Sequence, residues 1–206
     1  SSGVGASAMG MDKVYMKQYF RGAGFPVLPS CWFLRRAWDE DPKVVMDQIE
    51  KELPYPVFVK PASLGSSIGV TKAKDRAALE ESLKLAFEFD RKVLVEQGLE
   101  NPLELNCSVL GYDGKAQASE IEMPISGGDL LTFMDKYLAG GSTKGMASLK
   151  RVLPAPIEPE LRDKIRTLSV DIFNDMDCKG VVRIDYMYDA ASDGLYITEI
   201  NTIPGS

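Results

Sequence analysis

Two alternating runs near the end of the chain, residues 181–188 and 195–200, constrain its fold more than any other feature. Val, Ile and Tyr alternate with polar residues in both, and residues 189–194 between them are Ala, Ser, Asp and Gly, so the pattern predicts a hairpin. Because side chains alternate along a strand, Arg183 and Asp185 share one face, and so do Glu199 and Asn201. If the strands pair through the turn, three oxygen ligands and one guanidinium converge. Asp, Glu and Asn oxygens suit a hard divalent cation such as Mg2+, with phosphate and water filling its other positions. A solvated polar face on an ordinary hairpin is the plain alternative.

A second constraint lies at residues 56–72. The run PVFVK (56–60) reads as a buried strand ending in Lys60, followed by the Gly/Ser loop 61–69 and another strand at 70–72. Glycine lets backbone N–H groups approach phosphate oxygens, serine hydroxyls add donors, and Lys60 supplies a point charge. No GK[ST] follows and the loop leads to a strand, so this is not a Walker A loop; a plain Gly/Ser hairpin is the alternative. The rest of the chain alternates helices and strands. Asp12 can cap a helix at 12–23 with Met16, Tyr19, Phe20 and Ala23 on one face. Lys13 in its first turn is an odd place for a cation and reads alone as a surface lysine. Further helices are expected at 42–53, 75–89 and 159–177, and strands at 93–96, 103–110 and 116–123. Glu96 and Glu104 stand at strand edges and read alone as surface carboxylates. Residues 3–8 fit a loose GxGxxG/A pattern but follow no strand, so 1–11 reads as a flexible lead-in. The long Gly-rich stretch between 127 and 153 is expected to be a covering loop.

Composition excludes several kinds of chemistry. The 206 residues contain no histidine, which removes Ser-His-Asp and Cys-His nucleophilic catalysis and His-based zinc sites. A formal net charge of −6 argues against a nucleic-acid partner, and no apolar run is long enough to span a bilayer. Cys31, Cys107 and Cys178 are odd in number and widely spaced, which suits free thiols in a reducing compartment. The chain opens without an initiator Met and stops beside the candidate metal cluster, so a fragment of a longer protein is expected.

Together these features predict an α+β architecture in two lobes, 12–97 and 98–206, with the loop at 61–69 facing the hairpin at 181–201. The joined pattern of MDK (11–13), VFVKPASLGSSIGV (57–70), VLVEQ (93–97), LELNCSVLG (103–111), DKY (135–137), VVRIDYMY (181–188) and ITEINTIPGS (197–206) resembles the central and C-terminal domains of D-alanine–D-alanine ligase, of the ATP-grasp superfamily. The resemblance implies an ATP-grasp fold and ATP-dependent joining of two D-alanines through an acyl-phosphate, for peptidoglycan precursors. By that resemblance Lys13 and Lys60 contact ATP phosphates under the loop with Gly65, Ser66 and Ser67. Glu96 and Leu99 lie at the adenine through side chain or backbone, Glu104 at the ribose, and Lys136 at the terminal phosphate. Asp185, Glu199 and Asn201 hold two Mg2+ ions, with Mn2+ as a substitute. Arg183 stabilises the acyl-phosphate and tetrahedral intermediate, Gly205 helps to hold the substrate, and Ser66 and Tyr137 link the phosphate loop to the covering loop. The resemblance further implies a cytoplasmic homodimer with small-molecule substrates, and no membrane or nucleic-acid partner. The family's N-terminal domain has no counterpart in this sequence, so little ligase activity is expected of this stretch alone. Gly98 also departs from the bulky residue of many relatives. A D-lactate or D-serine acceptor, or a non-catalytic nucleotide-binding module, are the other readings.

Overall fold

Local capping starts the fold, and tertiary burial decides the rest. The structure, a computed structural model, describes residues 1–125 and 151–204. Helix α1 (Val4–Gly10) occupies the stretch expected to be a flexible lead-in. Its Ala6 enters the same core as Met16 and Phe20. A helix this short is not stable alone, so packing rather than sequence propensity holds it, and no periodicity betrays it. Helix α2 (Lys13–Gly22) begins at Asp12, whose carboxylate accepts the backbone N–H groups of Val14 at 2.9 Å and Tyr15 at 3.1 Å.

The first sheet is antiparallel with strand order β1-β4-β2-β3. In chain order its region contains β1 (Ser30–Leu34), the unexpected short helix α3 (Arg35–Glu40), α4 (Pro42–Glu52), β2 (Val57–Pro61), β3 (Thr71–Ala73), α5 (Arg76–Phe89) and β4 (Lys92–Gln97). Pro42 at the start of α4 and the caps Asp41 and Asp75 are the signals that place the two longer helices. Alternation sends Val57, Val59, Val93 and Val95 into a core with Ile49, Leu79, Leu83 and Phe87. The opposite face therefore carries Phe58, Lys60, Leu94 and Glu96.

The second sheet, order β7-β6-β5-β8-β9, is also antiparallel. Its elements are β5 (Leu103–Tyr112), β6 (Lys115–Pro124), β7 (Arg151–Val152), helix α6 (Pro159–Asp175), β8 (Gly180–Asp189) and β9 (Gly194–Asn201). Ile165, Ile172 and Phe173 of α6 pack with Leu105, Cys107, Val182, Ile184 and Ile197 on one face of the sheet. Met16 and Phe20 of α2 share that core. The buried Tyr186 hydroxyl is satisfied by Ser169 Oγ at 2.7 Å, which itself donates to the Ile165 carbonyl at 2.7 Å. The result is an α+β fold of two antiparallel sheets, each with helices on one face and with α2 packed against both. Among the described residues no helix is long and apolar enough to cross a membrane.

Close packing at the far end of β5 makes a test of this core. A Cβ on Gly111 would stand 2.8 Å from Phe173 Cε1 and 2.9 Å from both Ala116 Cα and the Lys115 carbonyl oxygen. Two of these contacts are backbone and cannot swing away. Gly111→Ala should lower stability by about 1–3 kcal/mol, the usual cost of overpacking, read as a lower urea midpoint with an unchanged slope.

Candidate active site

The faces of the two sheets opposite those covered by α4, α5 and α6 meet at a cavity of about 820 Å3. Lys13, Lys60, Gly65, Ser66, Ser67, Glu96 and Leu99 line it from one side, and Glu104, Arg183, Asp185 and Glu199 from the other. Asn201 joins through a hydrogen bond to Asp185. Lys136, Tyr137, Gly205 and most of the expected covering loop lie outside the described residues.

The base of the Gly/Ser loop is fastened on three sides. The Lys13 backbone N–H donates to the Ala62 carbonyl at 2.9 Å, and the Lys13 ammonium donates to the Leu64 carbonyl. Asp90 accepts from the Ser63 N–H at 2.8 Å. Beyond this base the loop turns sharply: Ser66 and Ser67 have φ of 52° and 56°, and the Ile68 N–H returns to the Gly65 carbonyl at 3.2 Å. Two successive positive φ values are the mark of a type I′ turn, and non-glycine residues there store about 1–2 kcal/mol each. Lys13, odd as a first-turn cation, is thus the pin that joins α2 to the loop. Burial pushes its ammonium below the usual lysine range, Glu199 opposes that shift, and Lys60 adds to it.

Glu96 corrects its reading as a surface carboxylate. It is 1% exposed, with Oε1 paired to Lys17 and Oε2 2.6 Å from the Lys60 ammonium. Burial alone would raise its carboxyl, but the charges of Lys17 and Lys60 and their hydrogen bonds hold it down at about 2. Both carboxylate oxygens are engaged by lysines, so the side chain serves the floor of the cavity. Lys17, 2% exposed, also donates to the Ile197 carbonyl of β9 at 2.8 Å. Sequence reasoning passed over Lys17. Its one signal was the spacing: four residues after Lys13 and three after Val14, it falls on the buried side of α2.

A bulge aims the polar residues of β9. Strict alternation would put Glu199 on the same face as the buried Leu195 and Ile197. Instead Asp185 pairs with Glu199 and Tyr186 with Ile197, which leaves Thr198 as an extra residue. Its hydroxyl donates to the Asp185 carbonyl at 2.9 Å. The phase slips by one, Ile200 turns into the core, and Glu199 and Asn201 come opposite Asp185 and Arg183. The hairpin expected at 181–201 is there, but its convergence depends on this irregularity.

Asp185 is the centre of that cluster. Arg183 Nε and Nη2 donate to its two oxygens at 2.7 and 2.9 Å, and Asn201 Nδ2 donates at 3.0 Å. In the amide orientation that satisfies its neighbours, Asn106 of β5 donates to Asp185 Oδ1 at 3.2 Å. Among the described residues no three His, Cys, Asp or Glu side chains group closely enough to hold a metal by themselves. The donors present, two carboxylates and an amide, are nonetheless all hard oxygens on adjacent paired positions. They fit a cation that takes few protein oxygens and completes its shell with phosphate and water. Phe58 and Lys72, also unforeseen, line the same cavity with the Lys72 ammonium 5.6 Å from the Phe58 ring centre. Gly98 is explained by space: a Cβ there would stand 2.8 Å from the Pro56 carbonyl oxygen.

A family model described as "D-ala D-ala ligase C-terminus" matches residues 19–206. A D-alanine–D-alanine ligase of Acetivibrio thermocellus is 40% identical over 203 residues, covering 98% of this chain and 52% of the relative. Another, from Bacillus velezensis, is 38% identical over 205 residues, 99% of this chain and 55% of the relative. The chain spans about half the length of the curated relatives it matches. Among solved structures, the VanG D-Ala:D-Ser ligase of Enterococcus faecalis superposes with a TM-score of 0.79 at 31% identity, over 99% of this chain and 55% of that one. The D-alanine–D-alanine ligase of Coxiella burnetii gives 0.76 at 25% identity, over 99% and 50%.

Acid titration tests the buried cluster. A carboxylate at about 2 in the fold and about 4.3 unfolded contributes stability that is complete above the unfolded value and disappears as pH falls through the folded one. Glu96→Gln, which strands the buried Lys17 ammonium and leaves Lys60 without its partner, should lose about 3–5 kcal/mol at neutral pH. Urea midpoints taken from pH 7 down to about 2 should show the gap between wild type and variant closing below pH about 4.5. On β9, Thr198→Val removes the hydroxyl that satisfies the bulge and should cost about 1 kcal/mol by the same assay.

Proposed function

Because the chain belongs to the D-alanine–D-alanine ligase family, we propose that it supplies the nucleotide- and metal-binding part of an ATP-dependent ligase that joins two D-alanines for peptidoglycan precursors. The observation that carries this reading is the meeting, in one cavity, of the Lys13–Lys60–Gly/Ser loop wall with the Arg183–Asp185–Glu199 wall. Phosphoryl transfer is mostly positioning and charge neutralisation, work for lysines, arginine and a metal rather than for histidine.

In this reading Lys13 and Lys60 hold the ATP phosphates while the backbone N–H groups around Ser66 and Ser67 cover them. Leu99 and the backbone of residues 96–97 take the adenine, leaving the Glu96 carboxylate to its lysines, and Glu104 takes the ribose hydroxyls. Asp185, Glu199 and Asn201 would hold Mg2+, two ions in all, which supplies charge neutralisation at the phosphates when bound. One D-alanine carboxylate takes the terminal phosphoryl group and ADP leaves. The amine of the second then attacks the acyl carbon, losing a proton as phosphate departs. Arg183 stabilises the negative charge that gathers on the acyl oxygen and phosphate. All three cysteines are buried and unpaired, which suits the cytoplasm. A homodimer follows from the family reading alone.

A second reading, with D-serine as acceptor, is favoured by the similarity to the D-Ala:D-Ser ligase structure. The assay is made on the full-length protein with ATP, Mg2+ and D-alanine, by phosphate release and mass spectrometry of the product. D-Alanyl-D-alanine should form, and Glu199→Gln should slow it by about 100-fold or more, the scale for losing a charged group that acts on the transition state. A mixed product dominating when D-serine is added moves the assignment to the second reading. ATP binding without Mg2+-dependent turnover would overturn both.

A further inference from the structure

We propose that Lys17 is a positioning residue for the anion site: it cancels the charge of Glu96 from beneath, so that Lys60 faces the cavity as an uncompensated cation. This rests on the reading above for the identity of the nucleotide, but its physics concerns the phosphates alone. Lys17 and Glu96 are 2% and 1% exposed, whereas Lys60 keeps 14% of its side chain exposed at the cavity wall. The carboxylate is therefore shared between a lysine that does not line this cavity and one that does.

A carboxylate next to Lys60 does two opposing things. It fixes the ammonium in position at the end of a mostly buried strand. It also places a negative charge within 2.6 Å of a cavity-wall ammonium that should attract an anion. A Lys60–Glu96 pair alone would be neutral from the cavity. With Lys17 included the group carries one net positive charge, and that charge lies on the exposed side. Lys17 also donates to the Ile197 carbonyl at 2.8 Å, immediately before the bulge at Thr198 that turns Glu199 toward the cavity. One buried ammonium thus ties the cationic wall on the first sheet to the acidic wall on the second.

The alternative is that Lys17 only packs α2 against the sheets, and the two differ in which ligands they affect. Tripolyphosphate and ATP, each with Mg2+, and adenosine are titrated by calorimetry into the full-length protein and its Lys17→Met, Lys17→Arg and Lys17→Met/Glu96→Gln variants. Lys17→Met should weaken tripolyphosphate and ATP by about tenfold, the effect of one partly screened unit charge, and leave adenosine unchanged. Lys17→Arg, which keeps the charge, should bind like wild type. The double variant, in which Lys60 is again uncompensated, should recover most of the loss. Equal weakening of adenosine, or a double variant no better than Lys17→Met, would overturn the proposal in favour of packing. Should Lys17→Met alone not fold, the double variant decides: it must bind tripolyphosphate about as tightly as wild type. Wild-type protein that binds tripolyphosphate without turning over ATP defeats the ligase reading and leaves this one intact. Turnover without tripolyphosphate binding defeats this one alone.

Discussion

A carboxylate buried at the junction of two sheets must be paired, and the pairing of Glu96 with Lys17 and Lys60 organises the molecule around it. Strand β4 is covered on both faces, by Val93 and Val95 in one core and by Leu94 against Val14 and Ala62 in the other. An ionised group there is tolerated only with its partners in place. Those partners come from β2 and α2, so the cluster sets the strand register and the helix position together. Lys13 and Lys17 are one turn apart on α2, and one reaches the Gly/Ser loop while the other reaches the floor. Rotating α2 by a single residue would unmake both contacts at once.

The second sheet is organised by an interruption rather than by a charge. The period of two that makes β9 a strand also assigns each residue a face, and by that rule Glu199 belongs with Leu195 and Ile197 in the core. Thr198 resolves the conflict by standing outside the ladder and spending its hydroxyl on the Asp185 carbonyl. The same device appears on β6, where Ser119 and Glu120 together face Ser108 of β5 and the Ser108 N–H is taken up by Ser119 Oγ at 3.0 Å. In both places a side-chain hydroxyl supplies the partner that the ladder withdraws, which is what makes a bulge affordable in a covered sheet.

Most of the fold was legible because its signals are local: Asp12 and Asp75 as caps, Pro42 and Pro159 at helix starts, and alternation in β5, β6 and β8. What escaped was decided at a distance. Helix α1 has no stripe of its own and exists through packing against α2 and β9, and α3 is a single buried Trp38 on an otherwise exposed turn and a half. Glu96 looked like a surface residue because a carboxylate at a strand end usually is one, and nothing near it in sequence announces two lysines. Lys17 was hidden for the converse reason. The bulge at Thr198 was invisible because the clash it avoids, an acid facing a core, only exists once the sheet is covered. The identities of the site residues were legible, and the devices that aim them were not.

The cavity that results has walls of opposite sign, and this constrains what can bind there. Lys13, Lys60 and Lys72 belong to the first side, while Glu104, Asp185 and Glu199 belong to the second. A polyphosphate entering alone gains from the lysines and loses to the carboxylates, since like charges at contact distance in a partly desolvated cleft repel by several kcal/mol (order of magnitude). Asp185 is already compensated within the chain, by the Arg183 fork and the amides of Asn201 and Asn106. Burial pushes the Lys13 ammonium down, and the Glu199 charge offsets part of that shift. Adding an anion to this balance without adding a cation would set phosphate against Glu199 in competition for Lys13. Adding a divalent cation without the anion would set it against Arg183 for Asp185. Bound together, each ligand would relieve the repulsion the other creates, and a metal–polyphosphate pair is what the proposed function calls for.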